Sequence, residues 1–380
     1  MKLKTLMMLI VLAIILAGWA AWTIHKQTTT QPSLVGARVL PPFPINDVNK
    51  IKILSSGTNI TVAKIQGIWK VTSRFNYPAK FDKVVEVLQE LSELKIGQAI
   101  PATKSQMGQF ALLPPATNVA AELAGKTGTR LQLSNDKNQV LATLLIGKPF
   151  MRQPPTGQPA NPMLGIGGYP DGQYIRTGED KVFLVAKTLS RLTEDAKSWL
   201  DDEFINVSAN DILEMTVTGP ERDAIILRRA KAGDALTLED ARAGEGTVDS
   251  AKVNQLTGGL HYLGFDDVAA PTLTAEKTGL DRAIVVKART IKGRRYTLRI
   301  GNTLNNDTFD RYMQVSVTYA PPATEKTAPD DKTKNRDETK ALAGRTQALN
   351  AKLSPWIFVL KSYRAGPLLM KREELIKKPE

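Results

Sequence analysis

Apolar and polar residues alternate through "VNKIKILSSGTNITVAKIQGIWKV", residues 48 to 71, around a Ser-Gly-Thr-Asn turn and a second break at Gln66-Gly67. A period of two sends successive side chains to opposite faces, so this stretch predicts three short antiparallel strands with Trp69 on the last. The period then changes. In "NYPAKFDKVVEVLQELSELKIG", Phe81, Val84, Val85, Leu88 and Leu91 form one stripe between Pro78 and Gly97, which predicts an amphipathic helix packed on the sheet. Strands return in "NVAAELA", "TRLQLS" and "QVLATLLIG", separated by "GKTG" and "NDKN" turns. The last of them reads as ending on Gly147 and Pro149, and the Gly/Pro-rich passage from Lys148 to Gly172 predicts irregular chain. "QYIRTG" and "KVFLVA" predict a hairpin leading into a helix, "TLSRLTEDAKSWLDDEF", with Leu189, Leu192, Ala196 and Trp199 on one face.

The same order then recurs. "DILEMTVTG" and "RDAIILRRA" predict strands, and "TVDSAKVNQLTGGLHYLGF" a capped helix with Val253, Leu256, Leu260 and Leu263 at helical spacing. "AIVVKART", an "IKG" turn and "RRYTLRIG" make a hairpin, "DRYMQVSVTYA" a further strand, and "SPWIFVLKSYRAGPLLMKREELIKK" a last strand and closing helix. Between them "PPATEKTAPDDKTKNRDETK" has no periodicity and no large apolar residue, which predicts a disordered insertion at about 320–350. Aligning Ile51 with Leu213, the capped helices with each other, "FALLPP" with "KTGLDR", and "LLIGKP" with "LRIGNT" gives spacings of 162, 167 and 154 residues. Drifting spacing is what insertions into surface loops produce, so the pattern predicts a tandem duplication.

The first 26 residues set the topology. After Lys2 and Lys4, Leu6 to Ile24 is an uncharged run of nineteen residues, with Trp19 and Trp22 near its far end. That length crosses a hydrocarbon core about 30 Å thick, and the preceding lysines keep the amino terminus cytoplasmic. A cleaved signal peptide, with Gly18 and Ala20 at the cleavage site, is the alternative. Either way the rest is expected to be periplasmic or otherwise extracytoplasmic. The predicted fold class is α+β: residues 1–26 as cytoplasmic tip and anchor, 27–45 as a Pro-rich extended tether, then two similar units of antiparallel sheet plus packed helices at 46–206 and 207–380.

Composition narrows the chemistry. The chain has no cysteine and two histidines, and a net charge of +13. The absent cysteine removes disulfides, thiolate metal sites and a thiol nucleophile. His25 adjoins the expected span and His261 lies within an expected helix, so neither has a partner recognisable in the sequence. The carboxylate runs Asp201-Asp202-Glu203 and Asp266-Asp267 are neighbours that point to different faces. No catalytic, metal or cofactor site is therefore expected, although a hydrolase using carboxylates from distant segments stays open. "AELAGKTG" has Ala120 where a phosphate-binding loop needs glycine and leads into a strand, so Gly125-Lys126-Thr127 reads as a hairpin turn. Nucleic acid is not an expected partner for an exported chain with 6% aromatic residues and no binding signature. Trp69, Trp199 and Trp356 read as core anchors.

One basic cluster stands out. If Ile284, Val286, Ala288, Tyr296, Leu298 and Ile300 face the core, alternation puts Lys287, Arg289, Arg295 and Arg299 on one outer face. Such a face suits an anionic polymer, a lipid headgroup or an acidic partner, and equally serves as a solvated surface that deters aggregation.

The features "VNKIKI", Trp69 before "NYPA", "LSELKIG", "FALLPP", "LLIG", "QYIRTGEDKVFLV" and "SWLDDEF" together resemble the family of the domain of unknown function 4340, over roughly residues 40 to 206 and more loosely beyond. In "FALLPP" Leu112 stands where the family pattern has glycine, whereas "KTGLDR" keeps its glycine and lacks the proline. The resemblance implies a single-pass exported protein that is a non-enzymatic accessory or scaffold subunit. Its implied partners are integral membrane and ATPase subunits of an ABC-type export system related to gliding motility.

Overall fold

The computed structural model describes residues 15–19, 22, 34–115, 123–152, 169–178, 181–192, 194–239, 246–304, 309–321 and 331–377. Most of the expected span Leu6–Ile24 and the strand expected in "NVAAELA" lie outside these. Among the described residues no helix is long and apolar enough to cross a membrane.

The fold is α+β, with two large antiparallel sheets and helices. Strands β1 (Lys50–Ser55), β2 (Thr58–Ile65), β3 (Ile68–Val71) and β4 (Tyr77–Pro78) lead into helix α1 (Phe81–Glu93). Next come β5 (Gln98–Ile100), β6 (Thr129–Ser134), β7 (Val140–Arg152), β8 (Tyr169–Thr177) and β9 (Lys181–Val185). The second series is β10 (Ile212–Thr218), β11 (Ile225–Arg228), β12 (Thr237–Leu238), β13 (Thr247–Val248), α2 (Ser250–Gly258), β14 (Asp267–Val268) and α3 (Ala275–Thr278). It ends with β15 (Ile284–Thr290), β16 (Arg294–Thr303), β17 (Arg311–Tyr319), α4 (Asp331–Leu353), β18 (Ile357–Leu360), α5 (Ser362–Leu368) and β19 (Ile376–Lys377). The sheet orders are β4-β3-β2-β1-β6-β7-β8-β9-β5 and β12-β11-β10-β15-β16-β17-β18-β14. Leaving β4 aside, both run third, second, first, fifth, sixth, seventh, eighth, fourth, and in both a helix precedes the fourth strand.

The chain divides into two compact units, the first holding Ile53–Thr58 and Val87–Leu192 with the described part of Met1–Val48. Its β6 to β9 meander carries a core of Met107, Leu112, Leu145 and Val182, against which Phe110 and Tyr174 pack. Strand β7 does not stop at Gly147 and Pro149, as the sequence suggests, but bulges between Ile146 and Pro149 and continues to Arg152. The reason for the glycine is steric. A Cβ at Gly147 would collide with the carbonyl oxygen of Phe110, which closes a short helical turn (Lys104–Phe110) before the left-handed Ala111 at φ 55°. The Gly147 carbonyl, displaced from the ladder by the bulge, accepts a hydrogen bond from the Gln173 side chain.

The second unit holds Asn49–Lys52, Asn59–Glu86 and Thr193–Glu380. Here β16 bulges between Ile300 and Thr303, a Cβ at Gly301 would meet the carbonyl oxygen of Thr278, and Thr278 ends a short helix before the left-handed Gly279 at φ 67°. The Gly301 carbonyl accepts from the guanidinium of Arg311 at 2.9 Å. Geometry thus matches Ala111 with Gly279, one residue off the register drawn from "FALLPP" and "KTGLDR". Helix α2 starts on the Asp249 carboxylate, which accepts from the Ala251 N–H at 2.9 Å, and buries Val253 and Leu256; Leu260 and Leu263 follow it into the core.

Several local expectations change. Residues 186–192 form turns and bends, and only Ala196–Trp199 makes a helical turn, because the Asp195 carboxylate caps it by accepting from the Lys197 N–H. Leu189, Leu192, Ala196 and Trp199 are buried all the same. On α1, Phe81 in the first turn is exposed and Val87 takes its place in the buried stripe with Val84, Leu88 and Leu91. From Asp331 the stretch expected to be disordered is helix α4, which runs on to Leu353. This helix covers the edge of β17 beyond its pairing with β18, where the Asn350 side-chain carbonyl accepts from the Val317 N–H at 2.8 Å. It hides few large side chains, so apolar periodicity could not reveal it.

Candidate functional site

The basic cluster lies on one sheet face. Val286, Ala288, Tyr296, Leu298 and Ile300 are buried and Ile284 half-buried, while the register sets Arg289 opposite Arg295, Lys287 opposite Thr297 and Arg299 opposite Val285. Glu214 on β10 faces Arg289, and Arg228 on β11 faces Glu214, so Arg228, Glu214, Arg289 and Arg295 form a row across four strands. The Glu214 carboxylate meets Arg289 at 3.1 Å and Arg228 at 3.5 Å, and Glu239 meets Arg228 at 2.5 Å. Arg299 donates to the Leu280 carbonyl. Lys287 and Arg295 are the exposed cations of the four.

The neighbouring carboxylates have separate partners. Asp267 binds Arg74 at 2.9 Å, whereas Asp266 binds Lys197 at 2.7 Å and Lys361 at 3.3 Å. Burial pushes the Asp266 carboxyl up, but the two ammonium groups outweigh it and hold it below the usual range. Asp201 and Glu203 both bind Lys352, and Asp202 binds Lys80. His261 is exposed in the turn after α2, its ring tilted 53° to that of Tyr262 at a centroid distance of 4.2 Å, rather than inside the helix. Gly125 takes φ 72° in a turn that leads into β6, and no helix amino terminus stands behind it. Trp69 and Trp199 are buried and Trp356 half-buried. His25 lies outside the described residues. Among the described residues no group of three or more His, Asp or Glu side chains could hold a metal ion.

A pair of lysines missed in the sequence has opposite electrostatics. Lys83 lies 4.5 Å above the Trp199 ring and donates to Ser198 Oγ at 2.8 Å; burial lowers its pKa to about 8, against the charge of Asp195. Three residues earlier, the hydrogen bond to Asp202 raises Lys80. At pH 8, acetic anhydride is expected to acetylate Lys83 several-fold more than Lys80, read by peptide mass spectrometry; equal labelling would refute the assignment. The folded chain also holds this proton less tightly than the unfolded one. The group's penalty is therefore present below about pH 8 and relieved as pH rises towards 10.5.

A concave site of about 890 Å³ lies within the second unit. Five segments build it. Helix α4 contributes Arg345, Ala348, Leu349 and Lys352, spaced so that they share one face. Strand β16 supplies Arg294 and Tyr296, α5 supplies Arg364, and the segments 202–206 and 262–265 supply Phe204, Ile205, Tyr262, Leu263 and Phe265. Phe204 and Phe265 rest on a cluster of rings, with centroids 4.8 Å from Phe358 in both cases and 5.3 Å from each other. The sequence offered no signal for this convergence, because α4 lacks an apolar stripe and the rings lie in separate segments.

The model of the family described as "Domain of unknown function (DUF4340)" matches residues 69–153 and 164–283, together more than half of the chain. No curated protein and no solved structure matches it.

Proposed function

The chain belongs to the DUF4340 family, and from that premise we propose that it is a non-enzymatic accessory subunit of an ABC-type envelope transport complex, anchored by one span and exposed outside the cytoplasmic membrane. The observation that carries this reading is the uncharged run Leu6–Ile24 ahead of a folded part dominated by two large sheets; within the expected tether, residues 36–39 already pair with 94–96, and Val39 and Leu40 are buried. A single anchor close ahead of the folded part positions binding surfaces near, but outside, the bilayer.

We infer further that the folded part arose by tandem duplication. Support comes from the shared strand order and from the two bulges, each with a glycine under a helix-ending carbonyl and a side chain from the seventh strand on the bulge carbonyl. A second reading, binding of an anionic envelope polymer, rests on the exposed Lys287 and Arg295 with Arg289 and Arg299 on the same sheet face.

Affinity purification of the natively expressed chain from mild-detergent extracts is expected to bring down a permease and an ATPase subunit. Recovery without either, or in the soluble fraction with Leu6–Ile24 intact, would sink the proposal. Replacing Lys287, Arg289, Arg295 and Arg299 with Glu separates the second reading, which requires loss of polymer retention.

A further inference from the structure

The cavity beneath α4 gathers cations whose charge the fold does not cancel. Asp202 and Glu203 at its rim are engaged by Lys80 and Lys352, while Lys352 also binds Asp201. Arg294, Arg345 and Arg364 line the same cavity, and among the described residues none of them forms an ion pair with a carboxylate. Their hydrogen bonds hold them in place without neutralising them. Arg294 Nε donates to Thr346 Oγ1 at 3.1 Å, Arg364 donates through Nη1 to the Tyr262 carbonyl at 2.8 Å, and Arg345 Nε reaches the Ala341 carbonyl at 3.4 Å. Each contact leaves at least one terminal NH₂ group free of a carboxylate.

The rest of the wall has the opposite character. Phe204, Phe265, Ile205 and Leu263 offer an apolar floor, in a volume typical of small-molecule sites. Guanidinium groups match the planar or trigonal oxygens of carboxylate and phosphate, and aromatic rings take an apolar body. A ligand able to satisfy both walls must therefore carry both characters.

We propose that this cavity binds an organic anion, with its phosphate or carboxylate head on Arg294, Arg345 and Arg364 and an apolar or aromatic body against Phe204 and Phe265. The site is independent of the anchor and of any transport partner, so its test does not depend on theirs.

The probe is 1-naphthyl phosphate, titrated calorimetrically into the full chain in phosphatidylcholine nanodiscs. Saturable binding is expected, with inorganic phosphate and 1-naphthol each at least about tenfold weaker, because each lacks half of the ligand. Arg345→Gln, a change on an exposed helix position, and Arg364→Gln are each expected to weaken binding about tenfold. Lys137→Gln in the "NDKN" turn of the first unit is expected to leave it unchanged. Thermal unfolding of the same samples establishes that each variant is folded. Unchanged affinity in folded Arg345→Gln and Arg364→Gln, or inorganic phosphate binding as tightly as the naphthyl ester, overturns the proposal. Repeating the titration in nanodiscs containing phosphatidic acid identifies the source of the anion. A lower apparent affinity there indicates a lipid headgroup, and an unchanged one indicates a free anion.

Discussion

Tyr77→Ala is expected to destabilise the chain by about 3–5 kcal/mol, the range for removing a large aromatic side chain from a core. Tyr77 is fully buried, and its ring meets Trp356 at 5.0 Å, Phe265 at 5.5 Å and Phe358 at 6.1 Å, all edge-on. Edge-to-face contacts of this kind add to simple area burial, so the alanine loses both terms and leaves a void that three rigid neighbours cannot collapse around. The hydroxyl contributes much less. It donates to the Asp201 carbonyl at a long 3.3 Å, and burial, with the charges of Asp201 and Asp202, pushes its ionisation above the accessible range. Tyr77→Phe should accordingly cost only about 1 kcal/mol. Urea unfolding of both variants measures the two numbers, and comparable costs would mean that the hydroxyl, not the packing, matters at this position. Because Phe265 is both a neighbour of Tyr77 and part of the cavity wall, folded Tyr77→Ala should also bind 1-naphthyl phosphate more weakly.

The elements most legible in the sequence were those in which one periodicity ran unopposed. Val253, Leu256, Leu260 and Leu263 kept helical spacing behind a capping Asp249, and the hairpin of Lys287 and Arg295 kept strict alternation, so burial and facing followed directly. The stretch from Leu189 to Trp199 kept helical spacing as well. There the local side-chain to backbone bond of Asp195 competed with the helix, and the apolar residues reached the core from turns. Helix α4 shows the converse, since its structural task is to cap a strand edge through Asn350 and to hold Arg294 through Thr346, and polar contacts leave no period. The candidate cavity was illegible for a topological reason. Phe204, Phe265, Arg294, Arg345 and Arg364 meet only because strands, turns and helices far apart in the chain converge, and pairings such as Arg74 with Asp267 have no local trace.

Gly147→Ala and Gly301→Ala are expected to cost about 3 kcal/mol each, at the upper end of the usual penalty for overpacking. At both positions the obstacle to a Cβ is a backbone carbonyl oxygen, Phe110 in one case and Thr278 in the other, and neither can rotate away as a side chain would. Relief requires either shifting the helical turn that ends there or straightening the bulge. Straightening would break the bond from Gln173 or Arg311 to the displaced carbonyl and move the rest of β7 or β16 by one register position, turning its buried face outward. Gly344→Ala provides the opposite sign: nothing lies within 4 Å of its Cβ in helix α4, so the substitution should stabilise by about 0.5–1 kcal/mol. Thermal unfolding, with hydrogen exchange of β7 and β16 amides, distinguishes the cases. The two sites should respond alike if one ancestral turn was copied; a severe loss at Gly147 beside a neutral result at Gly301 would show that the bulges resemble each other in outline but not in the contact that makes glycine necessary.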